Sequence, residues 1–432
     1  MNVADSEIVV SILKEKGFIH TNEINNADII LINTCSIRDN AEVRIHGRLN
    51  VFKQIKKNKK DLIVGLIGCM AQRIKEDLIE QNNVIDIIAG PDSYRDLPKL
   101  ILKVKEGQKA VNVELSRHET YSEIMPFRYN TNNISAFIPI MRGCNNRCAY
   151  CVVPATRGVE RSRNPETIIN EVNSLINSGY KEIILIGQNV DSYKWKNENN
   201  SKVNFSNLLE IVANINPSIR IRFSTSHPKD MTDEVLYIMA KYNNICKCIH
   251  LPVQSGNSRI LALMKRSYTR EWYIDRINAI RKIIPECAVS TDIITGFCTE
   301  TEEEHKETLS LMEWANFDFA FMFKYSERPG TYAQINYIDD IPEEIKTKRL
   351  TEIINLQNKL SSENKNADIN KIYEVLVEGY SKKSKDYVSG RNSQNKVVVF
   401  PKENYKIGDI VNVLIKKCTS ATLIGEAVKS YE

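Results

Sequence analysis

Apolar positions in the first quarter of the chain recur with the two periods of an α/β protein. Ile8, Val9, Ile12 and Leu13 share one face at helical spacing, and Gly17 ends that segment. The following segments alternate between short apolar runs typical of strands and amphipathic runs typical of helices: 29–32, 43–55, 63–67, 74–79, 84–89 and 97–104. The alternation predicts a doubly wound parallel sheet over residues 1–107. Such sheets begin with a strand, and here the strand before the first helix is missing.

The alternation of strands and helices resumes after residue 135. Six strands are predicted, with a helix after each of the first five: 136–140, 182–186, 219–224, 245–250, 288–294 and 317–323. Helix boundaries are marked by Asn164-Pro165 and by the capping pair Thr301 and Glu304. Six repeats predict a partial (βα)₆ barrel within residues 135–366, with functional side chains at the carboxyl ends of its strands.

The period changes to two beyond Lys371. Five short strands, 373–377, 387–389, 397–400, 410–415 and 422–427, predict a small OB-like β-barrel over residues 367–432. Residues 371–432 hold 11 Lys and Arg against 7 Asp and Glu, whereas the whole chain carries a net charge of +5. This local excess favours RNA binding, with a mildly basic packing domain as the alternative. Residues 108–134 read as an irregular linker.

Composition excludes several classes of protein. A chain of 432 residues with 42% hydrophobic and 26% charged positions allows two to three globular domains. No apolar run approaches the roughly 18 residues of a membrane span, and the N-terminus lacks the pattern of a secretion signal. Ten cysteines without framework spacing indicate reduced thiols. We therefore expect a cytoplasmic protein with no membrane partner.

Three cysteines dominate the candidate chemistry. Cys144, Cys148 and Cys151 form a C-x₃-C-x₂-C loop in which Gly143 permits a tight turn. Closed metal sites use four protein ligands, so three thiolates suit a catalytic iron–sulfur centre with one iron open to a small molecule. The alternatives are a zinc knuckle that lacks its fourth ligand and three unrelated thiols.

The loop 141–151 resembles the signature of the radical S-adenosylmethionine (SAM) enzymes. The resemblance implies that Cys144, Cys148 and Cys151 hold a [4Fe–4S] cluster whose fourth iron is chelated by SAM, and that Tyr150 lies near the SAM. Short polar residues and a glycine at the strand ends are then expected to contact this cofactor: Gly187, Gln188, Ser226, Gln254 and Asp292. Ordinary loop chemistry is the alternative for each of them.

Two further cysteines follow strands of the N-terminal sheet. Cys35 and Cys69 lie at the carboxyl ends of strands, where open α/β sheets bind ligands, so one shared site is predicted. Two small loop residues are the alternative. Their surroundings, 33–42 and 68–73, resemble the N-terminal domain of the methylthiotransferase family, in which three cysteines hold a second, auxiliary [4Fe–4S] cluster. Cys35 and Cys69 match two of these ligands, and the third is absent from this chain.

The missing third cysteine and the missing first strand belong to the same stretch of the family pattern. Either the true start lies upstream of Met1, or the protein is truncated and its auxiliary cluster is weakened. We favour an upstream start, because loss of a strand would expose a sheet edge and uncover core.

The resemblance to the methylthiotransferases extends over nearly the whole chain, and residues 367–432 are similar to a TRAM RNA-binding domain. It implies a transferase that adds a 2-methylthio group to C2 of N6-isopentenyladenosine at position 37 of tRNA. In that chemistry the cluster reduces SAM, the resulting 5′-deoxyadenosyl radical takes hydrogen from C2, the auxiliary cluster presents sulfur, and a second SAM supplies the methyl group. The implied partners are tRNA, a flavodoxin- or ferredoxin-type electron donor and a sulfur donor, and we expect a monomer.

Three alternative functions remain open. Sister enzymes of the family modify threonylcarbamoyladenosine in tRNA or an aspartate of a ribosomal protein, and an inactive iron–sulfur RNA-binding protein is a third possibility. Cys298-Thr299 replaces a Pro-Gly pair that is usual in the family, which affects a turn near the predicted SAM site. Arg157, Arg161 and Arg163 are interpreted either as phosphate contacts or as partners of nearby acids such as Glu160.

Overall fold

The structure is a computed structural model that describes residues 1–34, 39–74, 84–129, 133–197 and 200–428. Its contacts divide the chain into two compact units. Unit 1 comprises residues 1–130, 139–146 and 152–168, and unit 2 comprises residues 131–138, 147–151 and 169–432.

The helices and strands alternate along most of the chain, as predicted. The helices are α1 Asn2–Glu15, α2 Asp39–Asn58, α3 Cys69–Ile74, α4 Leu97–Lys105, α5 Val153–Arg157, α6 Pro165–Asn177, α7 Phe205–Ile215, α8 Asp233–Lys241, α9 Ser258–Leu263, α10 Arg270–Ile283, α11 Glu302–Ala315, α12 Tyr332–Asn336 and α13 Glu343–Asn366. The strands are β1 Ile29–Thr34, β2 Ile63–Gly68, β3 Ile87–Ala89, β4 Ala110–Asn112, β5 Ser135–Pro139, β6 Met141–Arg142, β7 Arg161–Ser162, β8 Glu182–Ile186, β9 Lys194–Lys196, β10 Lys202–Asn204, β11 Arg220–Ser224, β12 Cys248–His250, β13 Ala288–Thr295, β14 Phe319–Lys324, β15 Ile372–Tyr380, β16 Tyr387–Arg391, β17 Val397–Pro401, β18 Ile410–Cys418 and β19 Leu423–Ala427. Among the described residues, no helix is both long enough and apolar enough to cross a membrane.

Unit 1 is built on a four-stranded parallel sheet in the order β1-β2-β3-β4. Apolar side chains of α1 and α4, such as Ile8 and Leu100, cover one face of this sheet. Leu49 of α2 and Met70 of α3 belong to the core on the other face. Helices on both faces of a parallel sheet confirm the doubly wound fold.

The segment assigned to the linker behaves differently from the prediction. It contributes β4 to the sheet of unit 1, a strand that three residues without clear alternation did not reveal. Tyr121 is 1% exposed, and its hydroxyl donates to the Pro91 carbonyl at 3.0 Å. The hydroxyl of Ser11 donates to the Met125 carbonyl at 3.0 Å. Much of 108–129 is therefore irregular backbone that packs within unit 1, where Tyr121 and Ile124 are buried.

One element boundary in unit 1 differs from the expectation, and one predicted helix is not tested. The strand predicted over 84–89 is formed only by Ile87–Ala89. The helix predicted over 74–79 lies, apart from Ile74, outside the described residues. In unit 2, the polar stretch 195–202 contains parts of the antiparallel pair β9 and β10.

The first part of unit 2 contains the six predicted barrel strands. They form two parallel three-stranded sheets, β5-β8-β11 and β12-β13-β14. A parallel bridge between Ile221 and Ile245 joins the two sheets, so the six strands follow one another in chain order. This arrangement confirms the partial (βα)₆ barrel and brings the carboxyl ends of its strands to one end of the barrel.

The second part of unit 2 is a closed five-stranded barrel in the order β15-β16-β17-β19-β18. Its core holds the alternate apolar residues of all five predicted strands, including Val375, Phe400 and Val413. Two arginines of β11 bind its β16–β17 turn. Arg222 Nη2 donates to the Asn392 carbonyl at 2.6 Å, and Arg220 Nη1 donates to the Arg391 carbonyl at 2.7 Å. The closed barrel is therefore anchored on the partial (βα)₆ barrel.

Candidate active site at the cysteine loop and the strand ends

Cys144 of the cysteine loop belongs to unit 1, and Cys148 and Cys151 belong to unit 2. The amide of Cys144 donates to the Gly158 carbonyl at 3.1 Å. Gly143 has φ +77°, and a Cβ atom there would lie 2.0 Å from the carbonyl oxygen of Val159. Only glycine fits this position, both because of its positive φ and because of the close backbone.

In unit 2, backbone hydrogen bonds hold the second half of the loop. The Cys151 amide donates to the Cys148 carbonyl at 3.0 Å, and the Ala149 amide donates to the Met264 carbonyl at 2.9 Å. Arg266 Nη1 lies 3.4 Å from Cys148 Sγ, at hydrogen-bonding distance. A guanidinium beside a thiol favours the thiolate, which is the form that binds iron.

Tyr150 packs beside a small core that includes Phe297 and Cys298. Burial raises the pKa of Tyr150 well above its usual value, against the opposing effect of Arg266, so the phenol stays neutral. Cys298 is 1% exposed within this core, which favours its interpretation as a turn residue rather than a ligand. The next residue, Thr299, has φ +63° and donates its amide to Asp340. Thr299 therefore adopts the left-handed conformation at a turn where the family usually has glycine.

The other predicted SAM contacts lie at the carboxyl ends of barrel strands in unit 2. Gly187 is buried after β8 and Ser226 is buried after β11. Gln188 follows β8, and Gln254 follows β12 with φ +74°. The Oε1 atoms of both glutamines are buried without a hydrogen-bond partner. Because buried polar atoms are normally paired, these two acceptors suit a ligand with N–H or O–H groups, such as the amine, ribose and adenine groups of SAM.

Asp292 on β13 faces His250 on β12, with Asp292 Oδ1 3.3 Å from His250 Nε2. The other ring nitrogen of His250 lies 3.0 Å from the Ser290 hydroxyl. These contacts on both ring nitrogens agree with a structural role for His250. They also orient the carboxylate of Asp292 for any ligand at the strand ends.

Asp191 is a candidate that the sequence analysis missed. Both of its carboxylate oxygens are buried, three residues beyond Gln188. Burial raises the pKa of Asp191 to about 7, and the neighbouring Ser226 only partly offsets this effect. No well-formed hydrogen bond joins the two side chains. An acid that closely follows a strand-end glutamine and adjoins the apolar Val190 was the available signal.

We expect the Asp191→Asn variant to lose part of the pH dependence of stability. The raised pKa means that the folded state keeps a proton that the unfolded state releases between pH 4 and 7, so this carboxyl destabilises the fold as pH rises through that window. Asparagine removes a penalty of at most about 4 kcal/mol at pH 8, since one pKa unit corresponds to about 1.4 kcal/mol. Thermal melts at pH 5 and pH 8 measure this.

The variant should melt several degrees above wild type at pH 8 and close to it at pH 5. Asp61→Asn, at an exposed position, should follow wild type at both pH values. Identical pH dependence in wild type and the Asp191 variant would contradict the raised pKa.

Of the two N-terminal cysteines, the structure describes only Cys69, because Cys35 lies outside the described residues. Cys69 is the first residue of α3, directly after β2, and is 7% exposed. Arg157 Nε donates to Cys69 Sγ at 3.1 Å. A guanidinium therefore holds this sulfur at the carboxyl end of a strand, which is the position predicted for a ligand site.

Arg157 belongs to a buried ion network within unit 1. Asp5 is fully buried and accepts hydrogen bonds from Arg142 at 2.9 Å and Arg157 at 2.7 Å. Asp92 is also buried and lies 2.6 Å from Arg161. Although burial opposes ionisation, Arg142 and Arg157 lower the pKa of Asp5 to about 2.

These contacts decide between the two interpretations of the basic run. The guanidinium groups of Arg157 and Arg161 bind buried acids, so the ion-pair interpretation holds and phosphate contact is disfavoured. The acids are Asp5 and Asp92 rather than Glu160, whose carboxylate accepts the amide of Asn145. Arg163 is buried too, and its Nε donates to the Thr167 hydroxyl at 3.0 Å.

No preformed metal cage accompanies these cysteines. Over the parts of the chain that the structure describes, no three Cys, His, Asp or Glu side chains are arranged as a metal site. A cluster is supported by the spacing of the cysteine motif and by the guanidinium groups that contact Cys148 and Cys69.

Comparison with known families agrees with this arrangement of domains. Residues 138–312 match the Radical SAM superfamily, residues 1–90 match the uncharacterized protein family UPF0004, and residues 367–428 match the TRAM domain. A solved radical S-adenosylmethionine methyltransferase, TsrM from Kitasatospora setae, has a similar fold. Its TM-score is 0.58 at 14% identity, over 77% of this chain and 74% of that one. The fold and the cysteine loop define a radical SAM enzyme.

Relatives with established names identify the family within the radical SAM enzymes. The tRNA-2-methylthio-N(6)-dimethylallyladenosine synthase of Bacteroides fragilis is 57% identical over 430 residues, which cover 100% of this chain and 94% of the relative. The protein of the same name from Amoebophilus asiaticus is 55% identical over 99% of this chain and 90% of the relative. The chain belongs to the tRNA-2-methylthio-N(6)-dimethylallyladenosine synthase family.

Proposed function

We propose that this protein is a radical SAM tRNA methylthiotransferase that adds a 2-methylthio group to C2 of N6-isopentenyladenosine at position 37 of tRNA. The observation that carries the proposal is 57% identity along the whole chain to a synthase whose name states this modification. The Cys144, Cys148 and Cys151 motif supports it, because the reaction attacks an aromatic C–H bond that is not acidic enough for a side-chain base.

Membership of the radical SAM superfamily implies a [4Fe–4S] cluster and SAM. We assign the cluster ligands to Cys144, Cys148 and Cys151. When bound, the cluster and SAM together supply the carbon radical that removes the hydrogen from C2. The guanidinium of Arg266 orients the Cys148 sulfur, and Gly143 permits the backbone turn that carries Cys144.

The SAM contacts are assigned to the strand ends of unit 2. Gln188 and Gln254 offer unpaired buried acceptors for the amine and hydroxyl groups of the cofactor. Asp191, with a pKa of about 7, can donate or accept a hydrogen bond at neutral pH. The remaining expected contacts are Tyr150, Gly187, Ser226 and Asp292.

An auxiliary [4Fe–4S] cluster belongs to the same proposal. We assign Cys35 and Cys69 to it, with a third cysteine that this chain does not contain. Arg157 supports the assignment of Cys69, because its guanidinium donates to the Sγ atom that would bind iron. The role of this cluster would be to present sulfur to C2 after the hydrogen has been removed.

The proposed partners follow from the reaction. tRNA that carries isopentenyladenosine is the substrate, and the closed barrel over 367–432 is assigned to RNA binding as a TRAM domain. An electron donor of the flavodoxin or ferredoxin type and a sulfur donor complete the set, and we propose a cytoplasmic monomer. The proposed domains are 1–107, 135–366 and 367–432, with 108–134 as a connector whose described residues up to 129 belong to unit 1.

Nucleoside mass spectrometry tests the function directly. Residues 1–432 are expressed in a host that lacks its own methylthiotransferase, and its tRNA is digested and analysed. We expect 2-methylthio-isopentenyladenosine to appear. A 2-methylthio derivative of threonylcarbamoyladenosine would move the protein to a sister branch.

If only the unthiolated nucleoside appears, a chain that carries an upstream strand with its cysteine is tested next. Rescue by that strand would locate the defect in the third auxiliary ligand. Failure of both chains would contradict the proposed function.

A further inference from the structure

The last strand of the catalytic barrel carries three partly exposed phenylalanines on one face. Phe319, Phe321 and Phe323 alternate along β14 and are 50%, 43% and 36% exposed. Ala320, between the first two, is 1% exposed. Successive side chains of a strand point to opposite faces, so the phenylalanines share a face that is not the packed one.

Strand register shows that this face is the lumen of the barrel. Phe321 pairs with Asp292 of β13, and paired residues lie on the same face of a sheet. Asp292 contacts His250, whose ring meets Phe321 edge to face at 5.8 Å. The opposite face of β13 is turned toward the helices, because the Thr295 hydroxyl lies 3.3 Å from His305 of α11.

The strand at the other edge of the barrel presents an aromatic residue to the same lumen. Ser135 of β5 donates to Glu182 of β8 at 3.0 Å, and Glu182 accepts a hydrogen bond from Arg222 of β11. Alternation then places Phe137, two residues after Ser135, on the lumen face, where it is 37% exposed. Phe137, Phe319, Phe321 and Phe323 are called the lumen phenylalanines below.

An apolar wall beside a few polar groups is the usual composition of a small-molecule site. The lumen phenylalanines adjoin Asp292 and His250, and Ile294 pairs with Phe323 on the same face. Aromatic rings stack on nucleobases regardless of sequence, and an apolar wall favours an aliphatic substituent over a charged one. The dimethylallyladenosine in the names of the relatives combines both features, a purine and a branched hydrocarbon.

We propose that the lumen phenylalanines seat the purine and the N6-isopentenyl group of the target nucleotide, and that they make the enzyme select a prenylated base. The proposal rests on the proposed function and names the residues of β14 and β5 that set its substrate preference. A base with a charged N6 substituent would bring a carboxylate against apolar rings and lose its hydration there.

Equilibrium binding of RNA tests the proposed role of the lumen phenylalanines without relying on catalysis. Two anticodon stem-loop RNAs, one with isopentenyladenosine and one with adenosine at position 37, are titrated against the full chain with reconstituted clusters and SAM. We expect wild type to bind the prenylated RNA about 10- to 100-fold more tightly, as apolar pockets discriminate a few carbons. Phe321→Ala and Phe323→Ala should each reduce this ratio to within about threefold of one.

Phe127→Ala is the matched control, because Phe127 is 38% exposed but lies on unit 1. It should leave the binding ratio unchanged. Circular dichroism and thermal unfolding of both β14 variants should match wild type, which shows that they fold.

Three results would overturn the proposal. The first is equal affinity of wild type for the two RNAs, and the second is an equal loss of affinity for both RNAs in the β14 variants. The third is a loss of SAM cleavage without RNA in the β14 variants, which would show that the lumen phenylalanines contact the cofactor rather than the base. The proposed function fails separately, when wild type binds the prenylated RNA selectively but forms no methylthio product.

Discussion

Replacing Cys148 by alanine is expected to abolish both SAM cleavage and the methylthio product. Enzymes accelerate their reactions by about 10⁶-fold or more, and in the proposed function the whole acceleration depends on a cluster assigned to three thiolates. With two ligands left, the iron is no longer fixed at the open position that SAM needs, and Arg266 loses the sulfur to which it donates. Activity should fall to background. Iron content, the electron paramagnetic resonance spectrum of the reduced protein and release of 5′-deoxyadenosine measure the loss.

Cys298→Ala is the informative comparison for this prediction. Cys298 is buried in the core beside Tyr150, in the same unit as Cys148, and it was the thiol most easily mistaken for a ligand. Its removal should lower activity by no more than a few fold and leave the iron content unchanged. Retained SAM cleavage in the Cys148 variant, or loss of iron in the Cys298 variant, would show that the cluster has been assigned to the wrong thiols.

Asp5→Asn is expected to destabilise the protein by about 3–5 kcal/mol, because removal of one partner leaves buried charges uncompensated. Arg142 is 1% exposed and Arg157 is 4% exposed, and both donate to this single carboxylate. The amide offers one acceptor and no charge. Thermal and urea unfolding of the full chain give the loss, which is a large share of the stability of a typical domain.

Asp28→Asn is the matched control, because Asp28 also forms an ion pair but its side chain is 84% exposed. Surface ion pairs contribute little to stability, so this variant should unfold at the same temperature and urea concentration as wild type. A similar effect of the two substitutions would mean that the buried network does not contribute to stability as its geometry indicates.

The same carboxylate determines a part of the acid sensitivity. The pKa of Asp5 is lowered from 3.8 to about 2 in the folded state, so its contribution is complete above pH 4 and is lost as pH falls toward 2. The Asp5→Asn variant should therefore differ most from wild type at neutral pH, and the difference should narrow in acid.

Local sequence patterns predicted much of this fold, because each pattern depends only on which neighbouring side chains face the core. Period 3.6 and period 2 reflect which side chains meet the core, and six strands of the catalytic barrel and five of the closed barrel appear where alternation placed them. The strand β4 was missed, since three residues are too short to show a period. The cysteine spacing and the strand-end glutamines also needed only the sequence, because ligands of a cluster loop and the ends of parallel strands are defined along the chain.

Pairing between distant residues was decided only by the tertiary structure. Asp5 and Arg142 are 137 positions apart, and no pattern in the sequence joins them. The position of Asp5 on the apolar face of α1 indicates only that a buried charge there needs a partner. Arg266 reaches Cys148 across 118 positions. The six-residue run from Phe319 to Lys324 shows which residues alternate, but only its register with β13 shows that the phenylalanines line the lumen. Sequence therefore determined the elements and the chemistry of the cysteine loop, and tertiary packing determined which charges meet and which rings face the substrate, because both depend on contacts between segments that are remote along the chain.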